Sequence, residues 1–249
     1  MRRLLPPESH GEDALAAFLA RDRTPSTGRP WVMANMVASV DGAGSLAGAS
    51  GGLSGPPDRK VFHSLRALCD MVLVAAGTVR ADGYGPARPA AEVRSARIAR
   101  GQSETPGIAV VTRRIDIDFS LPLFTEAENP TVVVAPEDAD PERLRQAGGA
   151  GEVIAAGRGS VDLSAGLWGL ADRGARLVLC EGGPGLIGQL ARAGLLDEMF
   201  IAISPLLVAG DATRIVTGDV LDPPRALTPE AVLEADGFLF VRYRITART

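Results

Sequence analysis

The chain has little of the chemistry that most often marks a catalytic site. Of its 249 residues, two are histidine, two cysteine, two tryptophan and two tyrosine, and aromatics make up only 4%. His10 and His63 form no H-E-x-x-H pattern, which excludes that kind of zinc hydrolysis. An H-x-E followed by P-C-x-x-C is missing too, which excludes a cytidine-type deaminase centre. Cys69 and Cys180 each sit inside an apolar run, where a thiol is ordinarily buried and inert, so neither a disulfide framework nor a metal site is expected. Any redox work must therefore come from an organic cofactor. A basic excess is also lacking: the net charge is −4 and the isoelectric point about 5.3, so nucleic acid is not the expected partner. No apolar run approaches the roughly 18–20 residues of a membrane span. Arg2 and Arg3 are followed by Pro6, Pro7 and Glu8 rather than by the apolar core of a signal peptide. A cytoplasmic protein without a membrane partner is expected.

What is present is a hydrophobic content of 46%, ample for a core in one large domain or two small ones. Residues 1–30 read as an N-terminal helix (Asp13–Ala20) and a polar linker (Arg21–Pro30), with the main domain over 31–249. Apolar runs at Val32–Ser39, Met71–Ala76, Ile108–Val111, Thr131–Ala135, Val153–Ala155, Leu177–Cys180 and Met199–Ser204 predict strands. Helices are predicted over Asp58–Leu68 and Leu163–Arg173, a basic helical stretch lies within Gly83–Arg100, and Phe238–Ile245 alternates as an edge hairpin strand does. Strands alternating with helices predict an α/β fold: a mostly parallel central sheet flanked by helices, with an antiparallel C-terminal edge.

The most informative stretch follows Leu177–Cys180, whose unbroken apolar character suits a strand covered on both faces. Gly182, Gly183 and Gly185 come next, then Leu186, Ile187, Leu190, Ala191 and Leu195 at helical spacing. Strand, glycine turn and helix N-terminus in that order make a cradle for an anion. The backbone approaches a ligand without an intervening Cβ, and the first-turn amides carry partial positive charge. Residues Gly183 to Gly188 also satisfy G-x-G-x-x-G. An ordinary dinucleotide fold, however, needs an acid at the end of the next strand, and Asp197 and Glu198 precede that strand. A phosphate-binding turn of another kind is the first expectation, with an ordinary dinucleotide site and a capping turn without a ligand as equal alternatives behind it.

Asp58, after Pro56 and Pro57, has two readings. It suits an N-cap for the helix whose apolar stripe is Val61, Phe62, Leu65 and Leu68. The other reading, as a ligand, rests on a resemblance given below.

Three groups of residues together carry a resemblance: Ala38 to Gly42; Leu65, Arg66 and Ala67 with Val74 to Asp82; and Glu181 to Gly183 with Gly194 to Glu198. They resemble the reductase domain of the bacterial riboflavin-biosynthesis deaminase-reductase, within the dihydrofolate-reductase-like superfamily, and the similarity runs from Trp31 to the C-terminus. It implies a stand-alone NADPH-dependent pyrimidine reductase that delivers hydride to a C=N carbon of 5-amino-6-(5-phosphoribosylamino)uracil or its 2-amino precursor. By carry-over, the Val37 backbone, Thr78 and Asp82 touch the cofactor. Gly182, Gly183, Pro184, Gly185, Leu186 and Ile187 wrap its pyrophosphate, and Thr112, Arg113 and Arg114 recognise its 2′-phosphate. Ser50, Arg66 and Glu181 match substrate contacts. Arg88 stands about one place out of register for a phosphate-binding arginine, and Gly52 replaces an expected tryptophan. The segment from Leu53 to Phe62 also resembles the pterin-binding segment of dihydrofolate reductases. That likeness makes Asp58 a catalytic and substrate-binding candidate and dihydrofolate an alternative substrate, since a carboxylate there accepts two parallel hydrogen bonds from a 2-amino group and the adjacent ring N–H, which a pterin or 2-aminopyrimidine offers and a uracil does not. A non-catalytic NADPH-binding domain is a minor alternative. The proton is expected to arrive through water, and no metal is expected. The family also implies a homodimer, with Phe238–Ile245 as a candidate pairing strand.

Overall fold

The computed structural model describes residues 1–5, 13–24 and 28–245. His10, the segment Pro6–Glu8 and residues 25–27 of the expected linker lie outside the described residues. In chain order the elements are β1 (Arg2–Leu5), α1 (Ala14–Leu19), β2 (Trp31–Ser39), α2 (Pro56–Leu68), β3 (Met71–Ala75), α3 (Ala76–Asp82), α4 (Ala91–Ala99), β4 (Gly107–Val111), α5 (Pro122–Thr125), β5 (Val132–Ala135), α6 (Pro141–Ala150), β6 (Glu152–Ala155), α7 (Leu163–Ala171), β7 (Leu177–Cys180), α8 (Pro184–Ala193), β8 (Glu198–Ser204), β9 (Leu227–Ala235) and β10 (Phe238–Ile245). The α/β class and the mostly parallel strands are as expected. Among the described residues no helix is long and apolar enough to cross a membrane.

Two compact units emerge. The second comprises Thr24–Trp31 and Arg66–Glu181. Its strands run in the order β7-β3-β4-β5-β6, all parallel. Every residue of β5, and all of β3 but the last, is buried. That is why these strands read as unbroken Val/Leu/Ala runs rather than as an alternation. Helix α6 was not expected. Asp140 caps it by accepting from the Arg143 N–H at 2.9 Å, and Pro141 occupies its first position. Only Ala147 of α6 is buried, so it carries almost no apolar periodicity to read.

The first unit comprises Met1–Arg23, Val32–Leu65 and Gly182–Thr249. Its strand order is β1-β9-β10-β8-β2, with β2 parallel to β8 and the rest antiparallel. The C-terminal strands thus form the antiparallel edge that was expected, with one correction. Strand β10 is not itself outermost: it pairs with β8 on one side and β9 on the other, so it has no free edge to offer a second copy. The outermost place goes to β1, from the segment expected to hold only a helix and a linker. Strand β9 escaped the sequence reading because Pro229 lies within it, and a proline argues against a regular strand. The structure accommodates Pro229 where the β9–β10 register shifts.

A buried charge cluster fastens the N-terminal segment to this unit. Glu198 is fully buried and accepts from Arg23 through Nε at 2.7 Å and Nη2 at 3.1 Å, with Arg242 Nε 3.7 Å away. Arg242 also donates to the Ala20 carbonyl at 2.9 Å. Left unpaired, a carboxylate at that depth would cost several kcal/mol, on the order of 3–5.

Candidate active site

Two of the expected substrate residues meet within the second unit. Arg66 stands in the last turn of α2, where a cation complements the helix dipole. Glu181 follows β7 and is held by its backbone N–H, which donates to the Leu73 carbonyl at 3.0 Å. The guanidinium grips the carboxylate through two parallel bonds, Nε to Oε1 and Nη2 to Oε2, each 2.7 Å. This fork geometry is open to arginine and not to lysine. Tyr84, which sequence reasoning missed, receives a third bond from Arg66 Nη2 at 2.7 Å and lies 5.2 Å from the guanidinium by its ring centroid. Its only signal in the sequence is an aromatic between Gly83 and Gly85. Burial pushes the Glu181 carboxyl above its usual range, and Arg66 opposes that shift. Burial likewise works against the charge on Arg66, but Glu181 outweighs it and holds the guanidinium firmly protonated. The Arg66 side chain is 17% exposed against 4% for Glu181, so the cation is the member of the pair that a dissolved anion can reach.

The glycine turn opens the last segment of the first unit. Gly182 has φ +103°, a conformation costly for any residue with a Cβ, and a cis peptide joins it to Gly183. Gly183 caps α8 without a side-chain hydrogen bond, and Pro184 takes the first helical position. The Leu186 and Ile187 amides turn inward onto the Gly183 carbonyl, at 2.9 and 3.2 Å. Of the first-turn amides, the one at Gly185 therefore has no intrahelical partner by helix geometry. The expected cradle is present in shape, but it offers fewer amides than a free helix end would. Gly188 has a different reason: a Cβ there would lie 1.9 Å from the Thr217 carbonyl oxygen. Gly188→Ala must push the 217 backbone off α8, and overpacking of this kind costs about 1–3 kcal/mol. Thermal unfolding of the variant is expected to show that loss, and an unchanged melting temperature would contradict the packing described.

Asp58 is corrected as a helix cap. Helix α2 begins at Pro56, so Asp58 lies inside its first turn. There it is buried and accepts from the Ser54 hydroxyl at 2.5 Å. Burial raises its carboxyl above the usual range, against Ser54 and the nearby Arg59 charge. Ser50 sits half-buried in the preceding loop, its carbonyl accepting from Leu53 N–H at 3.0 Å.

The remaining candidates fall into place separately. Val37 is half-buried on β2, opposite Ala202. Thr78 and Asp82 lie on the short helix α3, the first half-buried and the second exposed. Thr112 is buried just past β4, and its hydroxyl oxygen accepts from the Ile115 N–H at 2.9 Å, while Arg113 and Arg114 between them project into solvent. Arg88 is exposed and paired with Glu126. The two acids that came too early for an ordinary dinucleotide site have structural work: Asp197 accepts from the Val32 N–H at 2.8 Å, and Glu198 belongs to the Arg23 cluster.

The comparisons agree on one relationship. The profile of the RibD C-terminal domain matches residues 30–233. The chain is 32% identical, over 195 residues, to 2,5-diamino-6-ribosylamino-4(3H)-pyrimidinone 5′-phosphate reductase of Methanothermobacter thermautotrophicus, covering 78% of this chain and 87% of the relative. The corresponding reductase of Archaeoglobus fulgidus is also 32% identical, with 77% and 88% covered. RibD of Escherichia coli is 29% identical, and 84% of this chain spans 56% of that longer protein. Among solved structures, a pyrimidine reductase-like protein from Corynebacterium diphtheriae superposes with a TM-score of 0.82 at 23% identity, covering 94% of this chain and 99% of that one. With the expected motifs in order, the Arg66–Glu181 pair assembled and most of its length matched, this chain belongs to the RibD C-terminal domain family.

Proposed function

We propose that the protein is an NADPH-dependent reductase of a 2,5-diaminopyrimidinone carrying a ribosylamino 5′-phosphate, converting its C=N form to the open-chain amine. The observation that carries this reading is the buried Asp58 carboxylate in a chain 32% identical to reductases named for that substrate. The 2-amino group and the N3–H of such a pyrimidinone are two adjacent donors, matched by the two oxygens of one carboxylate. The deaminated uracil lacks the first of them. Arg66, kept cationic by Glu181, suits the substrate phosphate. A reduced nicotinamide supplies the hydride to the carbon, and the nitrogen takes its proton from water. The glycine turn, bare of Cβ atoms at Gly182, Gly183 and Gly185, fits a pyrophosphate; Arg113 and Arg114 fit a 2′-phosphate. The pterin reading of Asp58 gives way, because the relatives are pyrimidine-phosphate reductases. A cytoplasmic homodimer belongs to the same reading.

NADPH oxidation with the 2,5-diamino substrate, its uracil counterpart and dihydrofolate side by side tests it, with turnover expected on the first. Asp58→Asn sharpens the test. The variant loses one acceptor oxygen and the charge, so kcat/KM with the diamino substrate is expected to fall about 10- to 100-fold, the range for a hydrogen bond to a charged group. A carboxyl whose folded pKa is raised favours the fold below the ordinary carboxylate range and loses that contribution as pH rises through the raised value. Asn carries no charge, so the variant is expected to be at least as stable as the parent at pH 8, with a flatter stability profile between pH 4 and 8. Equal turnover of the uracil and diamino substrates by the parent protein would overturn the role given to Asp58.

A further inference from the structure

The largest fully buried side chain among the described residues is a cation, Arg97 on α4. Its hydrogen bonds go to backbone carbonyls: Nη1 donates to Cys69 at 2.7 Å, Ala67 at 3.1 Å and Arg66 at 3.3 Å, and Nε donates to Ser103 at 2.9 Å. Nη2 is buried without a partner. Three of those carbonyls end α2. A helix leaves its last four carbonyls without intrahelical partners, and they carry the negative end of its dipole. Here all four are taken by α4 and the turn after it. Arg97 holds Arg66, Ala67 and Cys69, Arg100 adds a 2.7 Å bond to Ala67, and Gln102 takes Leu68 at 2.8 Å.

This is an expensive way to end a helix. A glycine cap or water satisfies carbonyls without desolvating a guanidinium, and an orphaned buried donor carries a penalty of its own. What the clamp secures is position. It grips the backbone of Arg66 itself, and Arg66 must place two nitrogens within 2.7 Å of Glu181 and one within 2.7 Å of Tyr84. A displacement of about 1 Å in the last turn of α2 would break that fork. We infer that Arg97 is the positioning residue of the Arg66–Glu181 pair, acting through the carbonyls at the end of α2 without touching substrate.

The kinetic part of the test rests on the proposed function; the spectroscopic part does not. In protein labelled with 15N-arginine, the Arg66 Nε–H signal is assigned by its loss in Arg66→Lys and then followed in Arg97→Met and Arg97→Lys. Arg97→Met is expected to shift or broaden that signal and to raise KM for the pyrimidine phosphate at least 10-fold. KM for the nicotinamide cofactor should stay within twofold, and Arg97→Lys should recover part of both effects. A folded Arg97→Met protein with the Arg66 signal in place and both KM values unchanged would overturn the inference, as would equal rises in both KM values. Should Arg97→Met fail to fold, Arg97→Lys, which keeps a buried cation but cannot reach all of the carbonyls that the guanidinium spans, is read in the same way. A smaller change in the same direction supports the inference, and no change overturns it. If no pyrimidine is turned over by the parent protein, the proposed function fails while the Arg66 signal still decides the role of Arg97.

Discussion

Arg66→Met is expected to unfold about 10 °C below the parent protein and to lose at least about 100-fold in kcat/KM. Removing one partner of a buried ion pair strands the other, at about 3–5 kcal/mol. In a domain of this size each kcal/mol moves the melting temperature by about 2–4 °C. The stranded group is Glu181, 4% exposed, whose carboxyl burial already pushes up while Arg66 pulls it down. Without the guanidinium only the upward push remains. The folded carboxyl then stays protonated to higher pH while the unfolded one ionises at its ordinary value. The deficit should accordingly be small at pH 4 and grow as pH rises toward 8. Adding Glu181→Gln removes the stranded charge, so the double variant is expected to regain most of the stability and none of the activity. Calorimetry of the four proteins at both pH values tests this, and a purely additive cycle would mean that the pair is not coupled as the geometry indicates.

Replacing both Arg113 and Arg114 by alanine is expected to weaken NADPH binding about 100-fold or more and to leave NADH within about twofold. Hydrogen bonds between charged groups contribute about 1.5–3 kcal/mol each, and only NADPH carries the 2′-phosphate that would receive them. The substitution is clean because neither arginine builds the turn that displays it. Ile115 is fully buried, its N–H donates to the Thr112 hydroxyl oxygen at 2.9 Å, and its carbonyl accepts from Arg143 Nε at 2.9 Å. Arg143 also reaches the Ile117 carbonyl at 2.8 Å and stacks on Phe119. Fluorescence titration with the two reduced cofactors separates the outcomes. Equal losses for both would assign the arginines to the turn or to the shared pyrophosphate instead.

Arginine used against carbonyls recurs in this chain. Arg97 ends α2, Arg143 pins the 115–117 turn, and Arg225 donates to Ala191 and Arg192 at the end of α8, at 3.2 Å each. None of these roles is legible in the sequence. A guanidinium that clamps backbone looks like any solvated cation until the fold brings the carbonyls to it, and in the basic stretch of α4 Arg97 is indistinguishable from Arg94 and Arg100. Asp58 shows the same limit: two prolines before it gave the pattern of a helix cap, yet the helix starts at the first of them and carries the carboxylate inside.

What could be read without the structure was whatever depends on a residue and its near neighbours. Unbroken apolar runs marked the parallel strands, glycines between a strand and a helix marked the turn at 182–185, and scattered short motifs marked the family. The elements that escaped were those whose local pattern is short, weak or contradictory: α5 with four residues, α6 with one buried residue, β9 with an internal proline, and β1, a short strand at the sheet edge. The tertiary structure alone decided which charges meet. Arg66 and Glu181 stand 115 residues apart, Arg23 and Glu198 stand 175 apart, and no local spacing relates either pair. Periodicity and turn chemistry are properties of a few consecutive dihedrals, whereas the depth of a charge and the identity of its partner follow from which elements come to lie side by side.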